Sequence, residues 1–185
     1  IVFRKTGKPA ATGVEDNYPK PEIITKIDQP WQVLFESDQY KRGPAQPVTF
    51  TTLTDWSKHE DESIRYYSGT AIYKTTFDVK KKPEGKLFVD LGQVTAMAKI
   101  KINGKYVGGV WTAPYRIEVS DVIRDGINEL EVEVVNTWMN RLIGDLHLPE
   151  AERPTWAHHN SWNVHSPLQT SGLLGPVNLL SIKYK

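Results

Sequence analysis

The residues of this sequence that could do chemistry are mostly aromatic, and they stand at predicted strand ends or in one long loop. They are Trp111, Tyr115, Trp138, Trp156 and Trp162. Their ring faces are apolar, as are the C–H faces of sugars, so these rings could stack on a sugar. Nearby, Asn140, Arg141 and His158 could hydrogen-bond its hydroxyl groups. For any single tryptophan, the favoured interpretation is that the ring packs the rim of the domain and anchors the loop.

Catalysis by carboxylates finds little support in the sequence. Hydrolysis of a glycoside requires two carboxylates roughly 5–10 Å apart, one acting as the acid and the other as base or nucleophile. The best candidates are Asp145 with Glu150 or Glu152, and their favoured role is to order the loop or face solvent. No nucleophilic serine elbow, phosphate-binding loop or dinucleotide fingerprint is present. No catalytic residue is therefore predicted.

Histidines of the same loop raise the question of a metal site. The candidates are His158, His159 and His165, with Asp145 and His147 upstream. They lack the HExxH spacing, and adjacent histidines of an extended chain point to opposite sides, so one ion seldom binds both. The sequence assigns no certain cofactor. A structural calcium ion, held by loop carbonyls and one or two carboxylates, stays an alternative that the sequence does not place.

Composition excludes several classes of partner. The chain has 185 residues with 23 basic and 22 acidic side chains, a formal net charge of +1. Nucleic-acid binding needs a concentrated positive face, which this balance argues against. No apolar run approaches the roughly 20 residues of a membrane span. Cysteine is absent, which removes disulfides and thiolate chemistry.

The elements that must position these residues are predicted to be β-strands. Apolar and polar residues alternate along much of the chain, and Asn103-Gly104 supplies the residues that a tight hairpin needs. Thr54 or Asp55 could cap a short helical turn. The strand segments are 31–36, 47–51, 69–79, 86–92, the hairpin 98–111, 123–136 and 177–184. We expect about eight to nine strands in an all-β fold, an antiparallel β-sandwich of the jelly-roll type.

Two segments do not follow the strand pattern. Residues 1–29 are rich in proline, glycine and charge, which predicts a linker or the end of a preceding domain before a sandwich at 30–185. The long loop at about 137–175 contains three tryptophans and four histidines. Disordered segments have few aromatic residues, so this loop is predicted to be ordered on one rim of the sandwich.

Parts of the chain resemble a known family. The runs SGTAIYKTTFDV and LFVDLGQVTAMAKIKINGKYVGGVWTAPYRIEVSDVIRDGINELEVEVVN resemble the sugar-binding jelly roll of glycoside hydrolases in the β-galactosidase and β-glucuronidase family, a galactose-binding-like fold. The runs VNTWMNRLIGD and SGLLGPV are similar to the C-terminal domain of large bacterial enzymes grouped with one family of α-L-rhamnosidases. The resemblance covers about residues 64–185.

The resemblance implies an accessory, non-catalytic domain of a glycan-degrading enzyme whose catalytic acids lie on a separate barrel domain. The partners would be that catalytic domain and carbohydrate, and the location would be exported, periplasmic or on a bacterial cell surface. Trp138, Asn140, Arg141 and Asp145 match the family motif, and an Arg-Asp pair there could order the loop. Two alternatives stay open: an independent carbohydrate-binding module or lectin, and an enzyme that uses the loop carboxylates.

Overall fold

The computed structural model describes residues 20–38, 40 and 43–183. Its strands are β1 (Glu22–Lys26), β2 (Trp31–Phe35), β3 (Val48–Phe50), β4 (Thr70–Val79), β5 (Lys86–Asp90), β6 (Gln93–Thr95), β7 (Met97–Ile102), β8 (Lys105–Val110), β9 (Arg116–Glu118), β10 (Gly126–Val135), β11 (Gly172–Gly175) and β12 (Asn178–Ile182). The helices are α1 (Glu62–Arg65) and α2 (Met139–Asp145), with 3-10 turns at Trp56–Lys58 and Glu150–Glu152. Within this part of the chain, no helix has the length and apolar character to cross a membrane.

The strands form two main antiparallel sheets, which confirms the predicted all-β sandwich. One sheet has the order β3-β2-β4-β10-β7-β8, and the other has the order β1-β12-β5-β9. Strands β6 and β11 form a separate two-stranded pair. Alternating burial shows how the sequence specifies the large sheet: along β4, Tyr73, Phe77 and Val79 are buried, whereas Lys74 and Asp78 between them are exposed.

The hairpin between β7 and β8 forms where the sequence predicts it. Asn103 and Gly104 have φ angles of 51° and 78°, the left-handed pair of a tight two-residue turn. Ile100 pairs with Gly108 and Lys101 pairs with Tyr106, so Val107 is the extra residue of a β-bulge.

The structure corrects the predicted start of the sandwich. Strand β1, Glu22–Lys26, lies in the segment predicted to be a linker, yet it pairs with β12 and is part of the four-stranded sheet. Its residues are exposed or half-buried because β1 is an edge strand. It therefore shows little of the apolar alternation that marks the central strands. Residues 1–19 of the predicted linker lie outside the described residues.

The predicted long loop also contains more regular structure than expected. Helix α2 and strand β11 both fall within 137–175. The short strands β6 and β9 were missed as well, because three residues are too few to display a period of two.

The two ends of the sandwich differ in what they carry. At one end, which we call the terminal end, Glu22 of β1 pairs with Ser181 of β12, so the described chain enters and leaves there. At the opposite end, the loop end, β10 finishes at Val135 and continues into α2 and the loop 146–171. Ten residues of β10 separate the two ends, a distance of about 33 Å.

We predict that Gly92→Ala strongly destabilises the fold. Gly92 has a φ of 65°, and an added Cβ would lie 2.3 Å from the backbone carbonyl carbon of Gly175. Two backbone segments would have to separate, which should lower the free energy of unfolding by about 3 kcal/mol or more in urea titrations.

Gly104→Ala is the matched control for that variant. Gly104 also has a positive φ, of 78°, but an added Cβ would meet nothing within 4 Å. The Gly104→Ala variant should lose about 1–2 kcal/mol in the free energy of unfolding, because only the left-handed backbone conformation disfavours the alanine. Equal losses for the two variants would contradict the importance of the Gly92–Gly175 contact.

Candidate functional site

The loop end is organised around helix α2. Trp138 occupies the N-cap position of this helix, and five of its seven residues are buried. Three of those buried residues are polar or charged: Asn140, Arg141 and Asp145. Buried polar groups must find hydrogen-bond partners within the protein. The partners of these three residues explain how the following loop is held on the sandwich.

Asn140 fixes the far end of the loop to α2. Its side-chain amide donates to the carbonyl of Gln169 at 2.7 Å, and its side-chain carbonyl accepts from the Gln169 backbone N–H at 2.8 Å. The amide also donates to the Ser171 hydroxyl at 3.0 Å. This side chain therefore pairs with the loop backbone much as a neighbouring strand would. Asn140 is 1% exposed, so it has no surface to offer a ligand.

Arg141 and Asp145 form a buried ion pair on the same helix. The Nη2 of Arg141 lies 2.7 Å from the Oδ1 of Asp145, and the two side chains are only 5% and 3% exposed. The other carboxylate oxygen, Oδ2, accepts hydrogen bonds from the backbone N–H of Thr155, at 3.2 Å, and from the Thr155 hydroxyl. Asp145 thus holds the middle of the loop, ten residues further along the chain.

Asp55 provides a third anchor from the opposite side of the loop. Its carboxylate accepts from the backbone N–H of Ser171 at 3.0 Å and from the Ser57 hydroxyl at 2.8 Å, and it caps the 3-10 turn at Trp56–Lys58. Burial raises the pKa of Asp55, but these hydrogen bonds outweigh burial and hold its pKa below the ordinary value. The cap predicted at Asp55 is confirmed, and it also fastens the loop.

These anchors revise the predicted sugar-contacting set. Asn140 and Arg141 are buried and hold the loop, so the prediction that they contact a ligand directly is corrected. Tyr115 is half-buried and packs against the hydrophobic core, and Trp162 is half-buried as well. Their rings are less available for stacking than those of the exposed tryptophans.

The remaining predicted aromatic residues are open to solvent. Trp111 is 70% exposed, Trp138 is 52% exposed and Trp156 is 84% exposed. The ring of exposed His158 lies beside that of Trp156, with centroids 6.1 Å apart at 59°. Trp156 directly follows Thr155, so the Asp145 carboxylate fixes the backbone beside this ring. Thr155 was missed by the sequence analysis, because a threonine ten residues beyond its partner carries no recognisable spacing.

The predicted catalytic and metal groups are not brought together. Asp145 is buried in its ion pair, while Glu150 and Glu152 lie exposed on the 3-10 turn. His147 packs against the Tyr66 ring at 5.7 Å, away from exposed His158, His159 and His165. Across the residues that the structure describes, no three histidine or acidic side chains are grouped as a metal site would need.

The family can be identified from comparison with known proteins. The family model described as "Glycosyl hydrolase 2 galactose-binding domain-like" matches residues 51–174, which span β4 to β10 and the whole anchored loop. The chain belongs to this family. The match confirms the galactose-binding-like fold and the resemblance seen in the sequence.

Two longer proteins contain a region similar to this domain. A protein of Formosa agariphila named "Putative beta-glucuronidase" is 39% identical over 200 residues, which cover 94% of this chain and 17% of that protein. A solved rhamnosidase from Novosphingobium sp. PP1Y is 36% identical with a TM-score of 0.79, covering 97% of this chain and 16% of its own. The chain therefore spans about a sixth of the length of these relatives.

A more distant solved structure shares the fold alone. The β-glucuronidase of Ruminococcus gnavus is 18% identical with a TM-score of 0.60, and the match covers 92% of this chain and 30% of that one. At this level of identity, the likeness concerns the arrangement of the strands.

We predict that Asp145→Asn detaches the loop and destabilises the domain. The substitution leaves the Arg141 charge buried beside a neutral amide, which should cost about 3–5 kcal/mol in the free energy of unfolding at pH 7. Glu133→Gln is the control, because the Lys99–Glu133 pair at 2.7 Å is partly solvated and should contribute less than about 1 kcal/mol. Similar losses for both variants would contradict the anchoring role of Asp145.

We also predict that Asp55 makes the domain sensitive to acid. Because the pKa of Asp55 is lowered on folding, its contribution is fully present above the unfolded pKa of about 3.9 and is lost as the pH falls toward the folded value. Asp55→Asn should cost about 1 kcal/mol at pH 7, and its difference from the wild type should shrink below about pH 4.

Urea titrations between pH 2.5 and 7 measure this difference. Glu150→Gln, which changes an exposed carboxylate of the loop, should stay within about 0.5 kcal/mol of the wild type throughout. A pH-independent difference between Asp55→Asn and the wild type would show that the Asp55 charge does not stabilise the fold.

Proposed function

We propose that this domain is a non-catalytic accessory part of a glycan-degrading glycoside hydrolase, which supports the catalytic domain and contacts carbohydrate. The observation that carries the proposal is the family match together with the covered share of the relatives. A domain of this family that forms about a sixth of two longer proteins, one named for glucuronidase and one for rhamnosidase, is expected to serve a catalytic domain elsewhere in the chain.

The roles of the carboxylates support a non-catalytic domain. The best catalytic candidate, Asp145, has both oxygens committed to Arg141 and Thr155 and is 2% exposed. A general acid or nucleophile must reach its substrate, which this buried group does not. The alternative that the chain is an enzyme using loop carboxylates therefore loses its principal candidate.

Carbohydrate contact is proposed at the ring of Trp156. This ring is the most exposed tryptophan of the described chain, and the Thr155–Asp145 hydrogen bonds fix the backbone beside it. Because the backbone beside the ring is held, stacking of a sugar face there would cost less conformational entropy than stacking in a mobile loop. His158 stands close enough to add a hydrogen bond to a hydroxyl group.

The test of this contact is calorimetric titration of the 185-residue chain with oligosaccharides that contain rhamnose, galactose or glucuronic acid. We expect saturable binding to at least one of them and a Kd at least about tenfold weaker for Trp156→Ala, which is about 1.4 kcal/mol. Tyr106→Ala is the matched control, since Tyr106 is 57% exposed on β8 and away from the loop end.

The outcomes separate the two remaining functions. Binding that Trp156→Ala weakens and Tyr106→Ala leaves unchanged supports carbohydrate contact, and high affinity without any catalytic partner would favour the independent carbohydrate-binding module. No heat from any of these oligosaccharides would count against the contact and favour the supporting role alone. The structural calcium ion and the exported or cell-surface location stay predictions from the sequence.

A further inference from the structure

The turn between β7 and β8 holds the one Asn-Gly pair of the sequence, Asn103-Gly104. Asparagine followed by glycine is the pair most open to deamidation, because glycine has no Cβ to hinder attack by its backbone nitrogen on the preceding side chain. Gly104 is exposed, and the position of its missing Cβ has nothing within 4 Å. Whether the reaction occurs therefore depends on how the side chain of Asn103 is held.

The reaction needs only the chain itself and water. The backbone nitrogen of Gly104 forms a bond to the Cγ of Asn103, and the bond from Cγ to Nδ2 breaks. Nδ2 leaves as ammonia with the proton of the Gly104 amide, and a five-membered succinimide ring remains. Water then opens the ring and leaves either aspartate or isoaspartate at position 103.

In the folded hairpin, hydrogen bonds hold both ends of the Asn103 amide. Its Nδ2 donates to the carbonyl of Val122 at 2.9 Å and to the Oδ1 of Asn128 at 2.9 Å. Its Oδ1 accepts from the backbone N–H of Glu129 at 3.0 Å. Attack on Cγ makes that carbon tetrahedral, so the amide loses the planar shape in which it can make these bonds. Deamidation in the folded domain must therefore break the contacts between this turn and β10.

Buried Asn128 determines which end of the Asn103 amide faces it. Asn128 is 0% exposed. Its Oδ1 accepts from the backbone N–H of Arg124 at 3.1 Å, and its Nδ2 donates to the carbonyls of Arg124 and Gly126 at 2.8 and 2.9 Å. Backbone groups cannot exchange donor and acceptor roles, so the Asn128 amide has one satisfied orientation. Its oxygen faces Asn103, where only a donor fits.

We infer that Asn103-Gly104 is a deamidation site that the folded hairpin protects and that opening of the hairpin exposes. This modification site is independent of the proposed carbohydrate contact. It links a covalent change to the folded state, because the half-buried side chain of Asn103 reacts only after its bonds to β10 are broken.

The product of deamidation weakens the same contact. An aspartate at position 103 places an oxygen where Nδ2 stood, facing the Val122 carbonyl and the Asn128 Oδ1. Neither group can donate a hydrogen bond, so acceptors are left facing one another with the cost of unsatisfied burial. Isoaspartate also adds a carbon to the main chain within the turn. The converted hairpin therefore opens more easily than the original, and each conversion is a permanent record of an opening.

The rate of deamidation tests the protection directly. The 185-residue chain and a synthetic peptide of residues 97–110 are incubated at mildly alkaline pH, and conversion at position 103 is followed by peptide mapping and mass spectrometry. We expect conversion in the folded chain to be at least about tenfold slower than in the peptide. Equal rates would overturn the inference.

Urea below the unfolding midpoint provides a second test on the same unsubstituted chain. Urea raises the fraction of open molecules, so the rate at position 103 should rise with its concentration toward the peptide rate. A slow rate that urea leaves unchanged would contradict control by opening. In fully denaturing urea, Gly104→Ala should slow conversion at least about fivefold, because its Cβ hinders the attacking nitrogen. An unchanged rate would contradict attack by that nitrogen.

The effect of the product on stability is tested with Asn103→Asp. We expect it to lower the Tm by about 5 °C or more, since it loses a buried donor. Asn163→Asp is the matched control, because exposed Asn163 accepts through Oδ1 from the backbone N–H of His165 at 2.9 Å, a bond that aspartate also makes. Equal Tm values for the two variants would overturn the effect of the product. The rate measurements decide the protection even where Asn103→Asp does not fold.

Discussion

The loop end of this domain depends on one buried ion pair, Arg141 with Asp145. Removing two charges from water is costly, and the cost is offset only where geometry and further hydrogen bonds satisfy both groups. Here the pair sits on a seven-residue helix, and the second carboxylate oxygen holds Thr155. Because the second carboxylate oxygen finds its hydrogen-bond partner only with the loop in place, formation of the helix and ordering of the loop are linked. Hydrogen bonds from Asn140 to Gln169 and between Asp55 and Ser171 hold the end of the loop in the same way.

This arrangement separates the parts of the domain by role. The sheets supply the core, and the loop end carries the exposed tryptophans. Groups that sequence inspection would assign to chemistry, such as Asp145 and Arg141, are committed to holding the loop. Trp156, the ring at which carbohydrate contact is proposed, directly follows the loop residue that Asp145 holds.

The central strands could be predicted from sequence because burial on one face imposes a period of two. In β4 and β10 the alternation runs for ten residues, and the Asn103-Gly104 turn fixes the hairpin register. Edge strand β1 and the three-residue strands β6 and β9 were not predicted. Neither an exposed edge strand nor so short a strand displays the period of two. In the candidate site, Trp111, Trp138 and Trp156 are exposed, whereas the favoured interpretation of the sequence was that each ring packs the rim. The burial of Asn140 depends on Gln169 and Ser171, contacts nearly thirty residues away that no local pattern encodes.

The central proposal is that this domain supports a catalytic domain and performs no hydrolysis itself. The most direct measurement is the temperature of thermal inactivation of aryl-glycoside hydrolysis by the glycoside hydrolase to which this domain is proposed to belong, with and without the segment that corresponds to residues 20–183. The account predicts that the shortened polypeptide retains the catalytic acids but inactivates at a markedly lower temperature. Loss of inactivation resistance would follow from the exposed surface that this domain no longer covers. An unchanged inactivation temperature would contradict the account.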